Sequence, residues 1–185
     1  MTAGKGVFMK KFITKALAMA LAVVIAITTF STSSLAASAA DTHRRDLTAE
    51  EIVTIKTMFK ADQYAKYYPD VVKELGSDEQ VLFNHFITFG IWEQRQPSVA
   101  FNVDVYASRN PDLQSVYGDD IVAYYIHYAT HPVENGWRAT PTPHDAIWNG
   151  CTIYSVYDFV KGQTGPKKGA IPVLTPNSHP RIDLV

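Results

Sequence analysis

One segment of this chain, residues 59–91, occurs a second time at residues 101–133 and aligns with it without a gap. Identical residues occupy ten of the aligned positions: Phe59/Phe101, Asp62/Asp104, Tyr64/Tyr106, Ala65/Ala107, Pro69/Pro111, Asp70/Asp112, Gly76/Gly118, Asp78/Asp120, His85/His127 and Thr88/Thr130. A fixed period of this kind is typical of a supersecondary unit that buries its apolar face against a copy of itself. The repeat therefore predicts two similar units packed on each other.

Signals for short helices recur at the same offsets in both units. They are an aspartate suited to an N-cap, a proline suited to the first helical position and a glycine suited to a left-handed stop: Asp62, Pro69 and Gly76, then Asp104, Pro111 and Gly118. Ser77 and Gln80 then form a capping box before a helix that carries His85 and Phe86 on one apolar stripe. The pattern predicts three short helices in each unit.

The rest of the chain can be divided by composition. Thr48 and Glu51 form a capping box that predicts a helix ahead of the repeat. The predicted organisation is a signal peptide (1–39), a leader and first helix (40–58), copy one (59–98), copy two (101–140), and a Pro-rich linker with an irregular or partly disordered tail (141–185). The predicted fold class is all-α, with two tandem repeats of short helices packed on each other and an irregular C-terminal tail.

Residues 1–39 have the pattern of a secretory signal peptide. A start with four lysines precedes an uncharged apolar run at residues 16–30, and Ala37, Ser38 and Ala39 form an Ala-x-Ala cleavage motif. A retained membrane anchor is the alternative, but the run is shorter than the roughly 20 residues that a membrane-spanning helix needs. The pattern predicts a secreted or cell-surface protein that has no stable membrane span after cleavage.

The chain that follows the signal peptide is mildly acidic. Residues 1–39 hold four of the seventeen Lys and Arg residues and none of the eighteen Asp and Glu residues, which leaves 13 basic against 18 acidic residues. This balance argues against a nucleic-acid partner. Cys151 is the single cysteine and cannot form an internal disulfide, so the exported domain must depend on packing.

The recurring residues resemble a tandem repeat of secreted proteins from Gram-positive anaerobes, whose function is uncharacterised. That repeat has the pattern F-D-x-x-Y-Y, then N-P-D-V/L, a glycine, and an ending H-Y/F-x-x-x-G-x-x-E-G-R. Copy one matches it at Phe59, Asp62, Tyr64, Pro69, Asp70, Gly76, His85, Phe86, Gly90, Glu93 and Arg95. Gln94 replaces a glycine of the pattern, and Pro132 stands in copy two where copy one has Gly90. The resemblance implies export and a module type, and it transfers no catalytic residue.

His85 and His127 occupy equivalent places and are the first candidates for a site. They could face each other across the boundary between the copies, but a metal ion needs more ligands than two imidazoles. We identify no carboxylate or thiol at helical spacing from either histidine, so the sequence predicts no metal site and no cofactor. Each histidine lies on an apolar stripe, which predicts a buried imidazole bonded to a backbone carbonyl or to the repeated aspartates.

Two carboxylates, Glu93 and Glu134, follow the last helix of each copy. Paired carboxylates can act as acid and base in glycan hydrolysis. Catalytic pairs are single and asymmetric, however, whereas these residues recur together with Arg95 and Arg138. We therefore predict an ion pair that holds each turn, and no catalytic residue.

Two further groups have a chemical and a structural interpretation. Cys151 and His144 could form a thiolate and imidazole pair, but no peptidase signature surrounds them. Asp78, Asp119 and Asp120 lack the alternating spacing, glycine and glutamate of a calcium loop, so they are predicted to cap helices. Neither group predicts an enzyme.

The aromatic residues indicate surfaces for contact. Tyrosine and tryptophan rings stack on sugars and anchor protein interfaces. Most of them recur at matched positions in both copies, which predicts that they belong to the core. Trp92 and Trp137 lie at the ends of the copies, outside the identical set, and are the predicted ligand contacts.

These features favour an exported, non-enzymatic helical repeat module that binds cell wall, glycan or a protein partner at the cell surface. An alternative is the accessory region or a truncated fragment of a secreted enzyme that acts on cell wall or glycan. Residues 149–159 resemble the start of a further copy, with Tyr157 and Asp158 in place of its Phe-Asp start. This incomplete echo leaves a truncated product as a third hypothesis.

Overall fold

The computed structural model describes residues 38–138 and 142–176, and most of this region is helical. The first seven helices are α1 (Ala39–His43), α2 (Ala49–Lys56), α3 (Ala61–Tyr67), α4 (Pro69–Leu75), α5 (Glu79–His85), α6 (Val103–Arg109) and α7 (Pro111–Tyr117). The remaining elements are α8 (Ile121–Thr130), α9 (Asn135–Arg138), α10 (Pro143–Trp148), a π-helix that continues α5 (Phe86–Gly90) and a 3₁₀ turn (Val156–Asp158). The predicted all-α fold is confirmed, since the described residues pair only through isolated β-bridges.

The predicted signal peptide lies outside the described residues, except for Ser38 and Ala39. Ser38 caps α1, a short helix within the segment that we predicted to be a polar leader. Within the described part of the chain, no helix combines the length and the apolar character that crossing a bilayer requires.

The sequence repeat is also a repeat of secondary structure. Helices α3 and α6 begin and end at aligned positions of the two copies, and so do α4 and α7. Helices α5 and α8 also begin at aligned positions. Their ends differ, because copy one widens into a π-helix in which the Ile91 N–H donates to the Phe86 carbonyl at 2.8 Å. Each copy is therefore a unit of three short helices.

Side-chain caps explain where several helices begin. The capping box at α2 is confirmed, because Thr48 accepts from the Glu51 N–H while Glu51 accepts from the Thr48 N–H. Asp78 and Asp120 are the N-caps of α5 and α8. The capping box predicted at Ser77 is wrong, because the next residue takes the cap position.

The N-caps predicted at Asp62 and Asp104 are also wrong. Helix α3 is preceded by Lys60, and α6 is preceded by Asn102, whose side chain accepts from the Val105 N–H at 3.0 Å. Both helices therefore begin earlier than predicted, and each aspartate is the second residue of its helix. This place is still favourable for a carboxylate, because the N-terminal turn carries a partial positive charge.

The predicted helix breaks are confirmed. Pro69 and Pro111 are the first residues of α4 and α7, where no intrahelical bond requires their missing N–H. Gly76 and Gly118 follow these helices with φ angles of 82° and 58°, a backbone region that other residues rarely adopt. Proline and glycine thus limit α4 and α7 to the short stretch between them.

The two copies share one aromatic core. Phe86 of copy one contacts Tyr125 of copy two, with 5.9 Å between the ring centroids, and Tyr125 also packs on Phe101. The Tyr125 hydroxyl donates to the Arg95 carbonyl at 3.1 Å. Ile55 of α2 is fully buried in the same core. Burying rings of this size stabilises the fold by about 1.5–3 kcal/mol per side chain.

The C-terminal segment, residues 151–176, is irregular as predicted but is packed on both copies. Val156, Tyr157 and Phe159 are buried in the shared core, and the Tyr157 hydroxyl donates to the Trp92 carbonyl at 2.7 Å. Of the two predicted alternatives, an irregular or a partly disordered tail, this segment has the irregular one, and residues 177–185 lie outside the described part. The predicted Pro-rich linker also contains a helix, because Thr142 caps α10 immediately before Pro143.

Candidate functional site

The C-terminal segment covers copy two but leaves the equivalent face of copy one open. In copy two, Ser108 of α6 donates to the Tyr154 carbonyl at 3.3 Å and accepts from the Tyr154 N–H at 2.9 Å. Val105, on the same helix, is fully buried against Ala146 and Ile153. This face of α6 is therefore part of the protein interior.

The corresponding face of α3 lines a cavity of about 640 Å³, which we call the α3 cavity. Its walls are formed by mostly polar side chains from α3, from residues 96–99 and from the start of α10: Asp62, Gln63, Lys66, Tyr67, Gln96, Val99, Thr142, His144 and Asp145. Gln63 accepts from the Val99 N–H at 2.8 Å, which fixes the orientation of its amide. The cavity has the volume of a small-ligand site.

Two substitutions between the copies explain this difference. Copy one has Gln63 and Lys66 where copy two has Val105 and Ser108. A long amide or ammonium side chain cannot be covered by an apolar segment without loss of its hydration, whereas valine and serine can. The sequence of copy one thus keeps the face of α3 in contact with water.

The predicted ligand contacts differ in their exposure. Trp137 is 69% exposed, and the Arg138 guanidinium stacks on its ring at 4.6 Å. Trp92 is only 2% exposed, so the prediction that it forms a surface contact is wrong. The C-terminal segment brings Tyr157 onto Trp92 from a distant part of the chain, and this long-range contact has no local sequence signal.

A third tryptophan was not among the predicted contacts. Trp148 is 82% exposed at the end of α10. Its ring is roughly parallel to that of His144, a residue of the α3 cavity, at 6.3 Å between centroids. In the sequence, Trp148 lies close to the Pro-rich stretch, which indicated a loop. Helix α10 is the element that places Trp148 near the cavity.

The two repeated histidines belong to the scaffold of their own copies. The Tyr64 hydroxyl bonds His85 Nδ1 at 3.0 Å, and the Tyr106 hydroxyl bonds His127 Nδ1 at 2.9 Å. The predicted partners, a backbone carbonyl or a repeated aspartate, are thus wrong. Burial lowers the pKa of both histidines, and the charge of Arg95 lowers the pKa of His85 further. Both imidazoles are therefore predominantly neutral at pH 7.

The repeated glutamate and arginine form the predicted ion pair in each copy. Arg95 contacts Glu93 at 2.6 Å and Asp70 at 3.2 Å. In copy two, Arg138 contacts Glu134 and also Asp112, the latter at 2.7 Å. The arginine in each case connects the end of the copy to the first turn of its second helix, α4 or α7.

The other candidates from the sequence have separate environments. Cys151 Sγ accepts from Arg109 at 2.8 Å and donates to the Asn149 carbonyl, so its hydrogen-bond partners are not imidazoles. Asp119 contacts His43 of α1 at 3.0 Å. These contacts provide no nucleophile and base pair and no calcium loop.

One group of possible metal ligands was missed in the sequence. His127, His131 and Glu134 place one ligand atom each within 4.8 Å of one another. The prediction that no carboxylate lies at helical spacing from a histidine is therefore wrong. The signal was the spacing H-x-x-x-H-x-x-E at the end of α8, which puts all three side chains on one side of the chain.

Comparisons with known proteins add no relative, because no family model, curated protein or solved structure matches this chain.

Proposed function

We propose that this protein is an exported, non-enzymatic helical repeat module that binds a cell-wall polymer or another glycan in the α3 cavity. The observation that carries the proposal is the asymmetry of the two copies. The same helical face is closed by the C-terminal segment in copy two and is open and concave in copy one. A repeat unit with one free face is suited to hold a ligand from outside the chain.

The chemistry of the cavity favours a sugar as ligand. Asp62, Gln63 and Lys66 provide carboxylate, amide and ammonium groups along one helix face, and such groups bond the hydroxyls of a carbohydrate. Tyr67 contributes an aromatic ring to the same wall, and aromatic faces stack on the apolar face of a sugar ring. Exposed Trp137 and Trp148 are further stacking surfaces for a long polymer.

The scaffold residues support a binding role more than a catalytic one. The repeated histidines are hydrogen-bonded to tyrosines of their own copies, and the repeated glutamates are paired with arginines. Residues 1–39 have the pattern of a signal peptide, which supports a location outside the cell. Cell-wall polymers and other glycans are the abundant polymers there.

The test is retention of residues 40–185 on insoluble peptidoglycan and on a panel of polysaccharides. We expect retention on at least one of these polymers. The double substitution Gln63→Val and Lys66→Ser, which gives α3 the residues of α6, is expected to reduce it at least tenfold. Tyr67→Ala, Trp137→Ala and Trp148→Ala measure the contribution of each ring.

Ile171→Ala is the matched control. Ile171 is an apolar residue that is as exposed as Trp148, at 81% against 82%, and it does not line the cavity. It is expected to bind like the wild type. Retention that is the same for the wild type and the double variant would contradict the proposed site. Binding to a surface-protein extract but to no glycan would contradict the proposed ligand.

A further inference from the structure

We propose that His127, His131 and Glu134 form a binding site for a divalent transition metal of the zinc type. Two imidazole nitrogens and one carboxylate oxygen are a ligand set that zinc uses in proteins, with a fourth position left to water or another group. The three ligand atoms lie within 4.8 Å of one another at the end of α8. This site is separate from the α3 cavity and does not depend on the proposed function.

The hydrogen bonds of the two imidazoles leave Nε2 of each ring available. His131 Nδ1 lies 3.0 Å from the His127 carbonyl, which can only accept, and 2.9 Å from the Thr130 hydroxyl, so the tautomer that satisfies the carbonyl has its proton on Nδ1 and a lone pair on Nε2. His127 Nδ1 lies 2.9 Å from the Tyr106 hydroxyl, which accepts when Nδ1 is protonated. Metal-binding histidines are held in this way by a partner on the other ring nitrogen.

The carboxylate is held by an arginine in the same manner. Arg138 bonds Glu134 through Nε and bonds Asp112 through Nη1. The guanidinium thus orients Glu134, whose Oε2 lies 3.8 Å from His127 Nε2. The positive charge of Arg138 does not exclude a cation, because Glu134 and Asp112 together carry two negative charges against this single positive one.

Binding requires a rotation of one imidazole, because the rings of His127 and His131 are stacked nearly parallel at 4.2 Å between centroids and their lone pairs do not converge in this arrangement. Ligand atoms around a tetrahedral zinc ion, at bond lengths of about 2.0–2.1 Å, lie roughly 3.3 Å apart. The widest pair must therefore close by about 1.5 Å at most. His127 is buried and forms the fixed ligand, whereas His131 is exposed and can rotate toward it.

The site is reached from a cleft of about 330 Å³ between α2 and α8. His127 and His131 line this cleft, which also contains three carboxylates, Glu50, Glu51 and Asp120, and a single guanidinium. A cleft with an excess of carboxylates attracts cations.

Copy one provides an internal comparison. It has the same histidine and tyrosine, His85 and Tyr64, but Phe89 stands where copy two has His131. The cluster therefore depends on a residue in which the copies differ, and not on the repeat itself. A metal site in copy two alone gives an expected stoichiometry of one ion per chain.

The experiment is calorimetric titration of the untagged protein with Zn²⁺ alone. We expect one site per chain. His131→Phe, which gives copy two the residue of copy one, is expected to weaken binding at least 100-fold. His131 is exposed, so this variant is expected to keep its fold, and circular dichroism checks this point. His144→Ala removes a histidine elsewhere and is expected to bind like the wild type.

Tyr106→Phe tests the support of His127, and its expected effect is a 10- to 100-fold loss of affinity. Tyr64→Phe removes the equivalent hydroxyl in copy one and is expected to leave zinc affinity unchanged. The proposal is overturned if the wild type binds no Zn²⁺ or if His131→Phe binds as tightly as the wild type. A Tyr64→Phe loss equal to that of Tyr106→Phe would equally contradict it.

Discussion

At the scale of the residue, the same amino acid has different properties at equivalent places in the two copies. Asp62 is exposed at the rim of the α3 cavity. Asp104 is largely enclosed, since its Oδ1 accepts from the Gln94 amide at 3.0 Å and from the Val156 N–H at 2.8 Å. Burial raises the pKa of Asp104 to about 7, although the Val156 N–H opposes this rise. Identity in a repeat therefore does not imply an identical role.

The raised pKa predicts a pH-dependent loss of stability. The pKa of an aspartate in an unfolded chain is about 3.9, so between about pH 4 and pH 7 the folded state holds a proton that the unfolded state releases. The free energy of unfolding therefore falls as the pH rises through this window. Asp104→Asn abolishes this titration and is expected to be more stable than the wild type by about 2 kcal/mol at pH 8, with the difference vanishing near pH 4.

Urea denaturation at a series of pH values measures this difference. The expected difference of about 2 kcal/mol is about half of what the whole rise in the pKa of Asp104 would give at about 1.4 kcal/mol per pKa unit. We take half because Asp104 keeps some solvent contact. Asp62→Asn is the control, since it makes the same change at the exposed equivalent. A constant offset between Asp104→Asn and the wild type from pH 4 to pH 8 would show that the buried carboxyl does not titrate in this window.

At the scale of the element, local signals determine where helices begin and end. Thr48, Pro69 and Pro111 are found in the predicted roles, because capping and proline geometry depend only on residues within one turn. The π-helix was not predicted. Its last residue must be a glycine, since a Cβ on Gly90 would lie 2.6 Å from the Tyr64 hydroxyl. That contact joins two helices and has no signature within either one.

Gly76 and Gly118 end equivalent helices and provide a matched test. Both have positive φ, so alanine is expected to cost about 1–3 kcal/mol at either place. A Cβ on Gly76 would meet nothing within 4 Å, whereas one on Gly118 would clash with the backbone nitrogen of Lys161. We expect Gly118→Ala to reduce the free energy of unfolding by at least about 2 kcal/mol more than Gly76→Ala.

Equilibrium unfolding in urea compares the two variants. The additional cost has a definite cause, because the C-terminal segment must move away from α7, where the Gly162 N–H donates to the Ser115 carbonyl at 2.8 Å. Equal losses in the free energy of unfolding for the two variants would mean that the packing of the C-terminal segment against Gly118 does not contribute to stability.

At the scale of the whole molecule, the two copies do not form the core by themselves. Val156, Tyr157 and Phe159 of the C-terminal segment are buried with residues of both copies and of α2. The third-copy echo at Tyr157 and Asp158 is thus a single 3₁₀ turn that fills the core. The domain includes the repeat and the segment that follows it.

Truncation tests this conclusion. Residues 40–150 lack four buried apolar side chains, which contribute about 1.5–3 kcal/mol each, and the sum approaches the whole stability of a small domain. We expect this fragment to lose its cooperative thermal transition and the fluorescence of Trp92 to shift to the red. Residues 40–176 are the control and are expected to unfold like residues 40–185. A cooperative transition of the shorter fragment at an unchanged temperature would contradict the shared core.

The sequence alone determined the helical class, the period of the repeat and most helix ends, because these depend on periodicity, proline, glycine and caps within a short stretch of chain. The tertiary structure decided which matched positions are buried. Trp92 and Asp104 are enclosed by a segment that is distant in the sequence, and the α3 cavity is open because that segment covers the matching helix face only in copy two. The free energy of such contacts depends on which surfaces meet, and that information is distributed over the whole chain rather than carried by any local pattern.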